Sequence, residues 1–238
     1  MSEKLKSNRK TDTQIEKVLA KHFDLFYRIN NLNFERTEDY ERQRSGEDLL
    51  IHTKMRDVIV DEKCATKYWD RNLWTFSFEL SSNFCDKRTG EAKEERYDGW
   101  FVNENNKTDF YNISYVRANS FERLKAGVID SLECIVISKA MLKKYILRQI
   151  RQTLVTEDIK DIEKEFIKRK NAGEIKRSEK TGRYQWLLCE GIKVVMSDNL
   201  AECPINIIVT KDILASVCKI HGIIKYNSGK SFSYENLK

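Results

Sequence analysis

Val58-Ile59-Val60-Asp61-Glu62-Lys63-Cys64, preceded at short range by Gly46-Glu47-Asp48-Leu49-Leu50-Ile51, decides how this chain is read. Each segment is an apolar run interrupted by acid, and each reads as a short strand, roughly over 47–52 and 56–65. Side chains alternate between the two faces of a strand. Asp61 and Lys63 therefore share one face, and Glu62 points to the other. Asp48 stands thirteen positions before Asp61, room for two short strands and a tight turn. If the strands pair, Asp48, Asp61 and Lys63 meet at one end of a small sheet. Two carboxylates beside a fixed ammonium would suit a divalent cation. The competing reading is two edge strands whose Asp48 and Lys63 form a surface ion pair of little energetic value.

An acid two residues before a lysine is a common pattern. It occurs at Asp61-Lys63, Glu91-Lys93, Asp158-Lys160 and Glu174-Lys176. Only Asp61 follows a β-branched apolar run, and only Asp61 has Gly46-Glu47-Asp48 on a strand just before it. The other three lie in charged or helical contexts and read as solvated surface.

Working outward, the spacing of Ile15, Val18, Leu19, Phe23, Phe26 and Ile29 predicts an amphipathic helix over 11–29, capped by Asp12 or Thr13. Residues 33–44 read as an irregular arm or a second short helix. Leu73–Leu80 alternates as a strand, with Trp74, Phe76 and Phe78 on one side and Glu79 on the other. Residues 86–98 read as a charged connection. Gly99–Val102 and Phe110–Val116 read as a hairpin turning over 103–108. Leu132–Ile137 reads as a strand, followed by a helix from Ser138 to about Gln152 and another from Thr156 to about Asn171, ended by Gly173. Residues 174–189 read as a hairpin with a basic tip. Strands at 192–196, 205–210 and 223–226 and a helix over 211–219 complete an α/β (α+β) fold: a mixed β-sheet flanked by helices. With one proline and nine glycines, no linker separates parts. The expected organisation is a disordered start over 1–10 and a single domain over 11–238, with a core to about 152 and a C-terminal extension over 153–238.

Hydrophobic residues make up 40% of the chain, enough for a sizeable core. The net charge of +6 favours polyanionic partners. Six cysteines form no CxxC pair, and none of the three histidines stands at zinc-ligand spacing from them, so the thiols read as free in a reducing compartment. The basic, polar first ten residues do not read as a signal peptide, and no apolar run approaches eighteen residues. The expected location is cytoplasmic, with no membrane partner.

Gly46-Glu47-Asp48 followed by Asp61-Glu62-Lys63, after an N-terminal helix, resembles the PD-(D/E)xK nuclease superfamily, the restriction-endonuclease-like group. The run Val60–Ala65, then Thr75–Leu80, then Gly99-Trp100-Phe101, is similar to small bacterial and phage-type proteins within it. The resemblance covers about residues 14–120, and departs from the name pattern in reading Glu47-Asp48 with no proline. It implies a restriction-endonuclease-like core and hydrolysis of DNA phosphodiester bonds. It implies that Asp48, Asp61 and the backbone carbonyl of Glu62 hold Mg²⁺, or Mn²⁺ in its place, and that Lys63 orients the attacking water or stabilises the transition state. It also implies a helix glutamate at the site, matched by Glu16, with Gln14 a weaker match; a first-turn Glu16 would equally serve the helix dipole. Dimers are common in such enzymes, and a homodimer is expected by analogy.

Two auxiliary positions stay open. Gln43 either contacts a phosphate or metal-bound water, or is an ordinary loop residue. Glu79 either lines the site or faces solvent. DNA is the expected polyanion and RNA is left open. Its candidate contacts are Lys143, Lys144, Arg148 and Arg151 on one helix, and Lys176, Arg177, Lys180 and Arg183 on the hairpin. The alternatives to a nuclease are a catalytically inactive nucleic-acid-binding module and a protein-interaction module on the same fold, for example a phage-encoded inhibitor.

Overall fold

Two β-sheets with six α-helices among the described residues make this an α+β protein. The computed structural model describes residues 9–85, 92–200, 202–227 and 231–238; most of the expected disordered start lies outside them. The contacts within the chain group into two compact units, and the C-terminal third contributes to both. One unit takes the described residues up to Trp74, with Lys107–Leu142 and Leu214–Lys238; the other takes Thr75–Asn106 and Lys143–Ile213.

The first unit is built on helix α1 (Arg9–Ile29) and a seven-stranded sheet. Its strands are β1 (Phe34–Arg36), β2 (Leu49–His52), β3 (Asp57–Cys64), β6 (Phe110–Arg117), β7 (Ser131–Ser138), β11 (Ile220–Tyr226) and β12 (Phe232–Asn236), adjacent in that order. Only β3 and β6 run parallel. A parallel neighbour needs a long crossover, and here residues 65–109 supply it. One apolar stripe of α1 (Ile15, Leu19, Phe23 and Phe26) is buried against Leu49, Val60, Val116, Leu132 and Val136 on one face of the sheet. Each such side chain contributes about 1.5–3 kcal/mol when buried. The helix is already running at Asp12 and Thr13, so neither caps its start. The two acidic strands do pair, Leu49 against Val60 and Ile51 against Val58.

In the second unit, β4 (Thr75–Cys85), β5 (Ala92–Asp98), β8 (Tyr184–Cys189), β9 (Ile192–Met196) and β10 (Ile205–Thr210) form an antiparallel sheet in the order β5-β4-β10-β9-β8. Phe76, Phe78 and Leu80 are buried as alternation requires, whereas Trp74 precedes the strand and is 63% exposed.

Several expectations are corrected. Residues 92–98 form a strand, not a connection, because they complete the exposed edge of β4. Gly99–Val102 does not hairpin with 110–116. The Gly99 N–H donates to Leu80 and the Phe101 N–H to Glu79, so the segment is held at β4. A Cβ at Gly99 would lie 2.4 Å from the Glu79 carbonyl oxygen, which explains the glycine. Meanwhile β6 pairs with β3 and β7. Residues 174–189 contribute only β8, which hairpins with β9; the earlier part touches it through a single Arg177–Tyr184 bridge. Helix α5 (Ile159–Asn171) is capped by Asp158, which accepts the Lys160 N–H at 2.9 Å. Thr156 instead donates to Asp161 Oδ2 at 2.8 Å. Residues 33–44 divide into β1 and α2 (Tyr40–Arg44), and α3 (Phe121–Lys125) and β12 are additional elements. Helices α4 (Lys139–Gln149) and α6 (Lys211–Val217) fall where expected.

Among the described residues no helix is long and apolar enough to cross a membrane, and Cys64, Cys134, Cys189, Cys203 and Cys218 are free thiols. Leu49 is fully buried at the head of β2. Leu49→Ala should lower the free energy of unfolding by about 2–5 kcal/mol, read from the midpoint of a urea titration.

Candidate functional site

The turn from α2 into β2 places Asp48. Asp39 caps α2 by accepting the Arg42 N–H at 2.8 Å. Past the helix, Gly46 has φ +81°, a conformation that costs a side-chain-bearing residue about 1 kcal/mol or more. Thr108 Oγ1 donates to the Gly46 carbonyl at 2.8 Å and fixes the turn. The chain then enters β2 with its ladder to β3 broken at the first step. The Asp48 N–H donates to the Val60 carbonyl at 3.0 Å. The Asp48 carboxylate takes over as acceptor for the next free donor of β3, the Glu62 N–H, at 2.6 Å. Asp48 thus stands at the sheet edge, in reach of both faces of β3.

On one face of β3 are Asp61 and Lys63. Asp61 is 1% exposed, and Tyr111 of β6 is beside it in register. Lys63 Nζ donates to Asp61 Oδ1. The other oxygen, Asp61 Oδ2, is buried with no hydrogen-bond donor among the described residues. Burial and then the Asp61 charge push the Asp48 carboxyl up to about 7, against the pull of Lys63 and the Glu62 N–H. Burial alone would lower Lys63, but the Asp61 and Asp48 carboxylates outweigh it and hold the ammonium protonated.

On the other face, Glu62 points at α1. Arg36 of β1 grips it with Nη1 on Oε2 at 3.0 Å and Nη2 on Oε1 at 3.2 Å, and the Tyr27 hydroxyl donates to Oε1 at 3.0 Å. Arg36 is fixed in turn by Asp24 Oδ1 at 2.6 Å and the Ala20 carbonyl at 3.0 Å. Asn112 Nδ2 donates to the Tyr27 oxygen at 2.8 Å. Burial pushes the Glu62 carboxyl up to about 7 even though Arg36 pulls it down. A cavity of about 260 Å³ opens on this face, lined by Glu16, Arg36, Gln43, Asp48 and Glu62 among others. Glu16 is exposed at its rim, and its charge is felt by Lys63. Gln43 donates its amide to the Thr37 carbonyl at 2.6 Å.

Six of the sequence-derived residues therefore gather around the end of β2: Asp48, Asp61, Glu62 and Lys63, with Glu16 and Gln43 on the cavity side. Glu79 is half-buried on β4 in the other unit, opposite Asn206 of β10. Lys143, Lys144, Arg148, Arg151, Lys176, Arg177, Lys180 and Arg183 also belong to that unit. Sequence reading missed Arg36, Tyr27 and Asn112. Arg36 lies in a segment that reads as an irregular arm or a second short helix, and Tyr27 is indistinguishable in sequence from an ordinary core aromatic.

Among the described residues no three His, Cys, Asp or Glu are grouped to hold a metal. The donors that do converge are oxygens only: the two aspartates and the Glu62 carbonyl. That carbonyl leaves β3 on the same side as its N–H, which is the side Asp48 occupies. The set, with its orphaned Asp61 oxygen, fits a hard cation that keeps part of its water shell. Comparison with known family models, characterised proteins and solved structures returns no match.

Both raised carboxyls have a pH signature. An unfolded aspartate or glutamate titrates near 4, so between about pH 4 and 7 the folded chain holds more protons than the unfolded one. Stability should therefore fall as pH rises through that window. Asp48→Asn should flatten the fall, measured as melting temperature from pH 4.5 to 7.5 in EDTA. Arg36→Met leaves Glu62 without its counter-charge and should cost about 3 kcal/mol. The double variant Arg36→Met/Glu62→Gln should recover most of that loss in urea titration.

Proposed function

We propose that this chain is a Mg²⁺-dependent nuclease that hydrolyses DNA phosphodiester bonds at Asp48, Asp61 and Lys63. The observation that carries the reading is the pairing of two mutually repelling carboxylates, one with an orphaned buried oxygen, beside an ammonium held in its charged form. A divalent cation would relieve that repulsion, and the same set resembles the PD-(D/E)xK arrangement. Asp48, Asp61 and the Glu62 carbonyl would hold the metal. When bound, it would acidify a coordinated water and offset charge on the scissile phosphate. Lys63 keeps its proton and presents positive charge where negative charge builds on the phosphate. Asp48, with its carboxyl near 7 in the metal-free chain, has to lose its proton before it can ligate, so activity should rise with pH through neutrality.

One observation favours a non-catalytic DNA-binding module instead: Lys63 already neutralises part of Asp61 without a cation. Cleavage assays decide between them. Supercoiled, linear and single-stranded DNA should be cut with Mg²⁺ or Mn²⁺ and left intact in EDTA. Asp61→Asn and Lys63→Ala should each slow cutting roughly 10²–10³-fold, the scale of losing one transition-state contact. If wild-type protein leaves every DNA form whole with both metals, or if Asp61→Asn cuts as fast as wild type, the nuclease reading is wrong.

A further inference from the structure

The chain's positive charge is concentrated in two stretches, Lys139–Arg151, with five Lys and Arg and no acid, and Lys164–Trp186. Between Lys164 and Trp186 stand eight Lys and Arg against three Glu, in a chain whose whole excess is six. The structure sorts these cations into two groups. Lys164 pairs with Asp161, Lys168 and Arg169 with Glu165, Arg169 also with Glu174, and Arg177 with Asp198. Lys170, Lys176, Lys180 and Arg183 have no carboxylate within ion-pair distance among the described residues. Three of the four sit on one loop and its stem, and the fourth packs against that stem. The Arg177–Tyr184 bridge closes a loop whose Ser178 N–H donates to the Arg183 carbonyl at 2.9 Å and whose Gly182 N–H donates to the Ser178 carbonyl at 2.8 Å. Gly182, at φ +62°, makes the turn. Lys176, Lys180 and Arg183 project from this hydrogen-bonded loop and its stem. Lys170, at the end of α5, packs against the stem of this loop, its Nζ 5.2 Å from the ring centre of Tyr184.

We propose that Lys170, Lys176, Lys180 and Arg183 form a docking surface for the phosphate backbone of duplex DNA. The choice of DNA rests on the nuclease reading above. The neighbouring rings define the mode of contact. Lys170 lies over one face of Tyr184, and Arg169 over one face of Trp186 at 5.0 Å, so that face of each ring is not open to stack on a base. What the surface offers is unpaired charge alone, and contacts to phosphate carry no sequence information. Binding is therefore sequence-independent and steeply salt-dependent. Glu179, exposed on the same loop, opposes it. On α4, Lys143 is half-buried over the Phe101 ring at 5.5 Å and burial lowers its pKa, whereas Lys144 and Arg148, with Arg151 beyond the helix, are exposed and serve as the comparison.

The test uses the full chain in EDTA, so that no cutting intervenes, with fluorescent 20-base-pair duplexes of two unrelated sequences. Wild type should bind both within about threefold. The variant Lys170→Ala/Lys176→Ala/Lys180→Ala/Arg183→Ala should bind about 10–100-fold more weakly near 0.1 M salt and flatten the slope of log K against log salt by about 3.6, since each lost phosphate contact removes about 0.9. Glu179→Gln should tighten binding. Lys144→Ala/Arg148→Ala/Arg151→Ala, which removes three exposed cations outside this loop, should weaken binding much less than the four-residue variant. An unchanged melting temperature shows that the variants fold. The proposal is overturned if the four-residue variant binds with wild-type affinity and slope, if wild type binds no duplex at 50 mM salt, or if polyglutamate competes as well as DNA at equal charge. Tight, patch-dependent binding without cleavage would sink only the nuclease reading; cleavage with patch-independent binding would sink only this one.

Discussion

Glu62 donates its backbone N–H to the Asp48 carboxylate at 2.6 Å, one step beyond the last ladder pair of β2 and β3, and the geometry of the acidic site follows from that bond. A regular antiparallel ladder, extended from the Leu49–Val60 pair, would have set the Glu47 carbonyl there. The Asp48 N–H instead takes the Val60 carbonyl at 3.0 Å, one residue out of that register, so β3 is left with a free donor and the Asp48 side chain fills the gap. A carboxylate accepting a backbone N–H cannot swing away to solvent without leaving that donor unsatisfied, a loss of about 1–3 kcal/mol when buried. Asp48 is therefore held in the plane of the sheet, where the charge of Asp61 on one face and that of Glu62 on the other both reach it.

Holding three carboxylates so close is costly in electrostatic terms, and the two faces meet that cost differently. Behind β3 it is met by a closed hydrogen-bonded network. Arg36 and Tyr27 satisfy Glu62, and Asp24, Ala20 and Asn112 hold those two in place. In front of β3 it is only half met. Lys63 serves one Asp61 oxygen and nothing described serves the other. The same strand thus carries a completed polar core on one side and an incomplete one on the other. The incomplete side is where a ligand gains most by binding, because an unpaired buried charge is the expensive state.

Much of this was legible before any coordinates. The alternation in Val58–Cys64 placed Asp61 with Lys63 and turned Glu62 away, and the 3.6-residue stripe from Ile15 to Phe26 gave α1. Both signals are local and periodic. What escaped was non-local. The interruption of one sheet by the other between β3 and β6 left no mark in composition, because the crossover contains no linker. Gly99–Val102 reads as half a hairpin until its hydrogen bonds to β4 are seen. Arg36 belongs to a three-residue strand, too short for any period to register, and its value comes from Glu62, twenty-six positions later.

The split of these residues between faces also bears on how the proposed site would take up a cation. Lys63 and a metal would compete for Asp61, since the ammonium sits on one of its oxygens. Asp48 is the second obstacle, because its carboxyl near 7 leaves it substantially protonated at neutral pH. In the proposed metal-bound state both obstacles would fall at once: Asp48 would be held in the ionised form, and Lys63, released from Asp61, would be free to turn toward an incoming phosphate. Binding of the metal and release of the lysine would then be one linked event, and the affinity for the cation would rise with pH by the proton that Asp48 gives up.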